Sequence, residues 1–354
     1  MSTERRALTT HAFAWAALAA CVALSGCNGT TSYLDATGTA GHEEAVLGRW
    51  LTATAAAVVV IITVAILAAI VRHRGEHNDP RLENDASRKE ASTQRREIHT
   101  GLSWIYIGIA LTVVVLLISF GGTMVTLNAA SHPPRVPSLV MDVTGHQWWW
   151  EIRYSDPSHP DLAFTTANEI HLPIGVPVRV RLHSADVIHS FWLPQIAGKT
   201  DVIPGQTNEM WVEAKQPGVT HGMCGEYCGL QHAMMSMSVT AESASSFNTW
   251  AQGRRADARP PASADAQAGE VVFARSCGAC HTVGGTNALG RVGPDLTHLA
   301  SRPYIGAGAL ENSSVNLARW IRNAPAVKEG ARMPAIPLDD AELRSVVAYL
   351  QTLR

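Results

Sequence analysis

A chain of 354 residues has room for two or three domains. Its formal net charge of −2 at pH 7 gives no basis for binding nucleic acid. The apolar residues are concentrated instead of spread, which points to membrane spans over two buried helices of a soluble domain. No charged side chain occurs from Trp50 to Val71, and none from Leu102 to Leu127. Each run is long enough to cross a bilayer core as a helix, which takes about 20 residues.

The N-terminus reads differently. Arg5 and Arg6 precede an apolar stretch from Ala12 to Leu24, which ends in "LSGC". A basic start, a short apolar middle and small residues at a cut site make residues 1–27 an export signal. Its ending resembles a bacterial lipoprotein signal, with cleavage before Cys27 and lipid on the Cys27 sulfur. The helical hairpin then occupies 41–130, with spans at about 50–71 and 102–127. Between the spans, Arg72 to Glu97 is rich in Arg, and short basic loops stay in the cytoplasm. Both outer ends of the hairpin therefore face outward, as does everything after Leu127.

Past the proline-rich "SHPPRVPS", the segments "SLVMDVTGHQWWWEIRY", "PVRVRLHS" and "MSMSVTAE" alternate apolar and polar residues. Turn signals such as "PIG", "PGQ" and "QPG" recur between them. This pattern predicts an antiparallel β sandwich or barrel over 136–250. Composition then shifts to Ala, Pro and Arg, and 251–263 reads as a linker. Over 264–354, "AGEVVFARSCGACH", "SVNLARWIRNAPAV" and "DDAELRSVVAYLQTLR" have helical spacing, the last opening on an Asp cap. The tail is expected to be a small all-helical domain.

That tail carries "CGACH", Cys277 to His281. A C-x-x-C-H run is the attachment signal for c-type haem, with thioethers from Cys277 and Cys280 and the adjacent His281 reaching the iron. No strand–helix alternation of the thioredoxin kind surrounds it. A second axial ligand has to come from farther along. Met333 is the only methionine after the linker, and His298 is its competitor. A thioether ligand raises the haem potential, which suits electron transfer. "GRVGPDL", Gly290 to Leu296, resembles the loop that braces the proximal His in class I cytochromes c, and the whole tail resembles that family.

The second cluster is "MCGEYCGLQHAMM", Met223 to Met235. A disulfide would explain neither the histidine nor the methionines. Thiolate, imidazole and thioether together suit copper. Cys224, Cys228, His232 and Met235 follow one another at spacings of four, four and three. Two cysteines able to bridge suggest two coppers sharing a pair of thiolates, with a further histidine from another strand. His189, in "DVIHSFW", supplies it. Met234 and Met237 are expected to pack the barrel, and His146, His183 and His221 to be surface or structural.

In "GHQWWWEIRY", "DVIHSFW", "GKTDVIPG" and "CGEYCGLQHAMM" the chain resembles cytochrome c oxidase subunit II. With the hairpin before and the haem domain behind, it resembles the caa3-type form from about Gly41 to Arg354. The resemblance implies a multidomain membrane protein: a two-helix transmembrane hairpin, an all-β cupredoxin barrel and an all-α cytochrome c domain. It implies binuclear CuA held by His189, Cys224, Cys228, His232, Met235 and the carbonyl of Glu226. The Glu226 carboxylate would match the family residue that helps bind magnesium at the border with subunit I. Trp148, directly after "GHQ", inherits the role of the point where electrons enter, while Trp149 stands where the family commonly has tyrosine.

The activity this implies is cytochrome c oxidase, with the oxygen chemistry in subunit I. Subunits I and III would be partners, and a soluble cytochrome c or a quinol-oxidising complex the donor. The location would be the bacterial inner membrane, with the copper and haem domains on the outer face. Copper-delivery and thiol-reductase proteins also use C-x-x-x-C with a distant histidine, but His232, Met235 and the haem domain speak against them. A nitrous oxide reductase-like protein would need a large second catalytic domain, and a quinol oxidase subunit II would lack the copper ligands.

Overall fold

The computed structural model describes residue 29 and residues 31–76, 86–156 and 158–354. Residues 1–28, and with them the export signal and Cys27, lie outside the described residues.

Helices α1 (Thr39–Glu76) and α2 (Ala86–Ser131) contain the expected spans. Their apolar stretches, Thr39–Val71 and Leu102–Ser131, are long and apolar enough to cross a membrane. Large apolar side chains such as Val59, Ile61, Leu117 and Val125 are exposed on them. Along these stretches Thr52, Thr54, Thr63, Thr112 and Thr123 return their hydroxyl protons to the carbonyl four residues back. That satisfies the polar side chains inside the helix itself, as an apolar surrounding requires.

After Ser131 the chain builds ten strands: β1 (Leu139–His146), β2 (Trp149–Asp156), β3 (His159–Ala167), β4 (Glu169–Pro173), β5 (Val178–Ser184), β6 (His189–Leu193), β7 (Ala197–Val202), β8 (Asn208–Val212), β9 (Gly218–Cys224) and β10 (Ser236–Glu242). They form two five-stranded sheets, ordered β3-β2-β1-β5-β8 and β4-β10-β9-β6-β7. The β1–β5 and β4–β10 pairs are parallel and the rest antiparallel, so the expected antiparallel sheet is mixed. Alternation decides the inner faces. Trp150, Ile152 and Tyr154 of β2, and Val178, Val180 and Leu182 of β5, are buried while their neighbours are not. Each such aliphatic or aromatic side chain contributes about 1.5–3 kcal/mol by leaving water.

Helix α3 (Ala244–Arg254), capped by the Ser243 hydroxyl, closes the β domain. Its Phe247 and Trp250 join Tyr154 and Phe164 in an aromatic cluster. The helix carries on into the segment that composition marks as linker. Ala, Gln and Arg are good helix formers, so Ala251–Arg254 finish α3 with Ala251 buried. The residues beyond α3 are pinned on two sides: Arg255 Nε donates to the Leu162 carbonyl at 2.8 Å, and Ala258 N to that of Gly284 at 3.0 Å. The link is a strap fastened to both domains.

The tail is built from α4 (Ala264–Ser276), α5 (Ser314–Arg322), the single turn α6 (Ala324–Val327) and α7 (Asp340–Leu350), with a two-residue ladder β11–β12 (Tyr304–Ile305, Leu310–Glu311) besides. The Asp339 carboxylate caps α7 in a full capping box with Glu342. Phe273, Leu317, Ile321, Val346 and Tyr349 form a core separate from that of the β domain.

Candidate metal centre

Two elements converge on the first cluster. Strand β6 pairs with β9 through Phe191↔Cys224, and this places His189 beside the end of β9. The loop after Cys224 is held in place by its backbone: Cys224 N donates to the Met235 carbonyl at 3.0 Å, and Gly225 N to that of Ser190 at 2.8 Å. The chain returns through the turn His232–Met234 into β10.

The Cys224 and Cys228 sulfurs lie 3.7 Å apart, both as free cysteines. His189 Nδ1 is 4.0 Å from Cys224 Sγ, and His232 Nδ1 is 3.8 Å from Cys228 Sγ. Met235 Sδ lies 3.8 Å from Cys228 Sγ, and the Glu226 carbonyl 3.2 Å from Cys224 Sγ. The donor atoms of His189, Cys224 and Cys228 all fall within 4.8 Å of one another. His189, Cys224, Cys228 and Met235 are buried, and His232 is half-buried. Every ligand expected from the sequence is brought to this one point.

A hydrogen bond between the two sulfurs holds the Cys224 thiol well below its ordinary range, with His189 adding to the effect against burial. The same contact and burial push Cys228 up. It is as thiolates that such sulfurs bind metal. His189 is aimed from behind: its Nε2 donates to Asp186 Oδ1 at 2.9 Å, so Nδ1 faces the sulfurs. Gly145 leaves room for the ring, since a Cβ there would come within 2.8 Å of His189 Cδ2.

Trp148 closes the site from the β1–β2 turn. Its Nε1 donates to the Cys228 carbonyl at 3.0 Å, joined there by Gln147 Nε2 at 2.9 Å. Of the remaining residues, Met237 is buried in the barrel as expected. Met234 is not: the turn His232–Met234 points its side chain outward, 37% exposed. His146 stacks on Trp149 at 4.2 Å, His183 meets Thr207 Oγ1 at 3.2 Å, and His221 lies against Tyr304. The Glu226 carboxylate accepts the Tyr227 N–H at 3.0 Å.

In the tail, Cys277 caps the end of α4 and is half-buried, whereas Cys280 is exposed. His281 Nδ1 donates to the Pro294 carbonyl at 2.8 Å, which leaves Nε2 as the free ligand atom. This is the bracing that the "GRVGPDL" loop leads one to expect. Burial pulls the His281 pKa down, keeping the imidazole neutral, as a metal ligand must be. Met333 packs against the tail core together with Cys277. His298 is buried with both ring nitrogens lacking a partner among the described residues.

Two known families match the chain: cytochrome c oxidase subunit II, periplasmic domain, over residues 158–242, and cytochrome c over residues 266–354. Cytochrome c oxidase subunit 2 of Alkalihalophilus pseudofirmus is 37% identical over 256 residues, 72% of this chain and 72% of that one. The chain belongs to the cytochrome c oxidase subunit II family. Cytochrome c oxidase subunit 2 of Bacillus sp. strain PS3 is 32% identical over 61% of this chain and 63% of its own. The crystal structure of the periplasmic domain of subunit II of cytochrome oxidase of Bradyrhizobium japonicum is 31% identical, covering 34% of this chain and 96% of that one, with a TM-score of 0.32.

As a subunit II with a fused cytochrome c domain, the chain is a membrane-anchored part of a haem–copper oxidase and associates with subunit I. Its two domains imply CuA copper and haem c. The donor sets fit those groups: soft sulfur and imidazole atoms crowd the β-domain site, and C-x-x-C-H with a braced histidine stands in the tail. The residues that sequence reasoning missed are the supporting ones. Asp186, three positions before His189, had a local signal. Gln147, Lys328 and the approach of Arg302 to Glu169 had none, because the residues they join are distant in the chain.

Proposed function

We propose that this chain is the oxidase's electron conduit. It takes electrons from a reduced donor at a covalent haem c and passes them through a binuclear CuA centre to the haem centres of subunit I, where dioxygen becomes water. Cys277 and Cys280 would hold the haem, with His281 and Met333 on its iron. His189, Cys224, Cys228, His232, Met235 and the Glu226 carbonyl would hold the copper pair. Bound there, the two groups supply one-electron carriers that cycle without making or breaking substrate bonds.

The observation that carries this reading is the convergence of two sulfurs, two imidazoles, a thioether and a carbonyl where β6 meets the loop after β9. The fold contributes rigidity. Asp186 and Pro294 each fix a histidine from behind, so the ligands need not move when charge changes. Met333 is favoured over His298 because it packs against the same core as Cys277 and supplies the thioether that raises a haem potential. A magnesium held in part by the exposed Glu226 carboxylate, at the border with subunit I, belongs to the same reading.

The basic segment between the spans favours a multi-pass arrangement in the bacterial inner membrane with both redox domains on the outer face. The donor would be a soluble cytochrome c or a quinol-oxidising complex, with subunit III a further partner. The lipid on Cys27 belongs to the same reading. The test is metal analysis with visible and electron paramagnetic resonance spectra of the purified chain, followed by rapid mixing with reduced donor. Two coppers sharing one unpaired electron, one covalent haem, and haem reduction ahead of copper support the conduit. Zinc, a single copper, a Cys224–Cys228 disulfide in copper-matured protein, or copper reduced first would overturn it.

A further inference from the structure

Lys328 comes directly after the one-turn helix α6 in the cytochrome domain and is only 3% exposed. A buried lysine needs a reason, because taking an ammonium out of water is costly unless its protons are bonded. Here Nζ donates to three backbone carbonyls: Met234 at 2.6 Å, Trp148 at 2.8 Å and Gly306 at 2.9 Å. An ammonium has three N–H donors and no acceptor, so the set is complete. Burial draws its pKa down to about 7, but all three partners accept, and that favours the protonated form.

The location of those carbonyls gives the contact its meaning. Gly306 belongs to the tail, whereas Trp148 and Met234 belong to the β domain. Trp148 is bonded to the Cys228 carbonyl, and Met234 lies between His232 and Met235. Further contacts run along the same segment. Arg332 Nη2 donates to Gln147 Oε1 at 3.1 Å and lies 3.6 Å from Asp186 Oδ2, the group that orients His189. Gly330 rests on the Trp148 ring, where an added Cβ would stand 3.1 Å from Cη2. On the far side, Ser236 N and Oγ both donate to the Ala307 carbonyl. Residues 328–332, ending one position before Met333, therefore cover Trp148 and leave it 9% exposed.

We propose that Lys328 is a positioning residue that locks the cytochrome domain onto the two loops flanking the copper site, making Trp148 an internal contact between the domains and closing it to outside donors. The electron-relay consequence rests on the proposed function, but the docking itself does not. A point-like ammonium among three carbonyls fixes position better than a flexible surface ion pair, because losing it strips three buried acceptors of their donor at once.

The test compares the full-length chain in its assembled oxidase with Lys328→Met. Amide hydrogen exchange at Ser236, whose N–H bonds across the domain boundary, should speed up by about tenfold or more, as stripping buried acceptors of their donor implies. Amides of α4 and α7 should keep their protection, which a loss of folding within the tail would not permit. Rapid mixing should show slower electron transfer from haem to copper, with rescue of neither property by added salt. If Lys328→Met does not accumulate, Lys328→Gln gives the same comparison. Ser236 exchange unchanged within about twofold would overturn the proposal, and so would loosening of α4 and α7 in step with Ser236. If wild type lacked copper or haem, the proposed function would fall while the exchange comparison still decided the role of Lys328.

Discussion

Asp186 holds His189 from behind, with Oδ1 2.9 Å from Nε2, and so turns the other ring nitrogen toward the Cys224 sulfur. The carboxylate is itself bonded by the backbone N–H groups of Gln147 and Val187, so it has little freedom to follow a moving ring. Asp186→Asn should leave the β domain folded but weaken copper binding about 10–100-fold, the usual cost of losing such a support. Competition with a graded series of copper chelators measures this. Retention of wild-type affinity would mean that packing against Trp150 alone orients His189.

The sulfurs of Cys224 and Cys228 make a sharper prediction. Their 3.7 Å separation suits two thiolates placed to share metal. Cys228→Ser should therefore abolish the binuclear spectrum, not merely halve the copper content. Met237→Leu changes a barrel side chain of similar volume and should leave the site intact, costing less than about 1.5 kcal/mol. Copper analysis beside the paramagnetic spectrum separates the two outcomes.

Glu169 stands 2% exposed, with Thr166 Oγ1 donating to its Oε1 at 2.6 Å. Arg254 of α3 lies 3.4 Å from the same oxygen and Arg302 of the tail 3.7 Å. Removing the carboxylate leaves two poorly solvated guanidinium groups facing each other. Glu169→Ala should lower the stability of the full chain by about 3–5 kcal/mol, the scale for breaking a buried ion pair from one side. Chemical denaturation followed by tryptophan fluorescence is the measurement, and a loss under about 1 kcal/mol would show that water reaches the pair.

The sequence reveals most where chemistry is local. The C-x-x-C-H run, the loop from Cys224 to Met235 and the two uncharged spans each state their role within a few residues. His189 was legible only because two coppers need a second imidazole, and the pairing of Phe191 with Cys224 then brought its ring within 4.0 Å of the Cys224 sulfur. What stayed hidden depends on contacts distant along the chain. Ala251–Arg254 read as linker by composition, yet the buried Phe247 and Ala251 anchor that stretch as helix. Met234 read as barrel packing, yet a single turn points it outward. Lys328 gave no signal, since its three acceptors are backbone carbonyls, which no side-chain pattern records.

The last prediction concerns the iron's second ligand and the direction of flow. Met333 packs against the same core as Cys277, whereas His298 is buried with two nitrogens unpartnered among the described residues. Both side chains have an atom able to bind iron, so replacing each alone distinguishes them. Met333→Ala should keep the haem attached through Cys277 and Cys280, because the thioethers do not depend on the axial bond. The potential should fall, since a thioether ligand favours the reduced haem, and electron transfer onward to copper should change with it. His298→Ala should leave the potential and the spectrum unchanged while altering stability. Redox titration of both variants, with rapid mixing against a reduced donor, checks this. If His298→Ala instead shifted the potential and Met333→Ala did not, the buried histidine would be the ligand, and Met333 would serve only to pack the segment that Lys328 holds over Trp148.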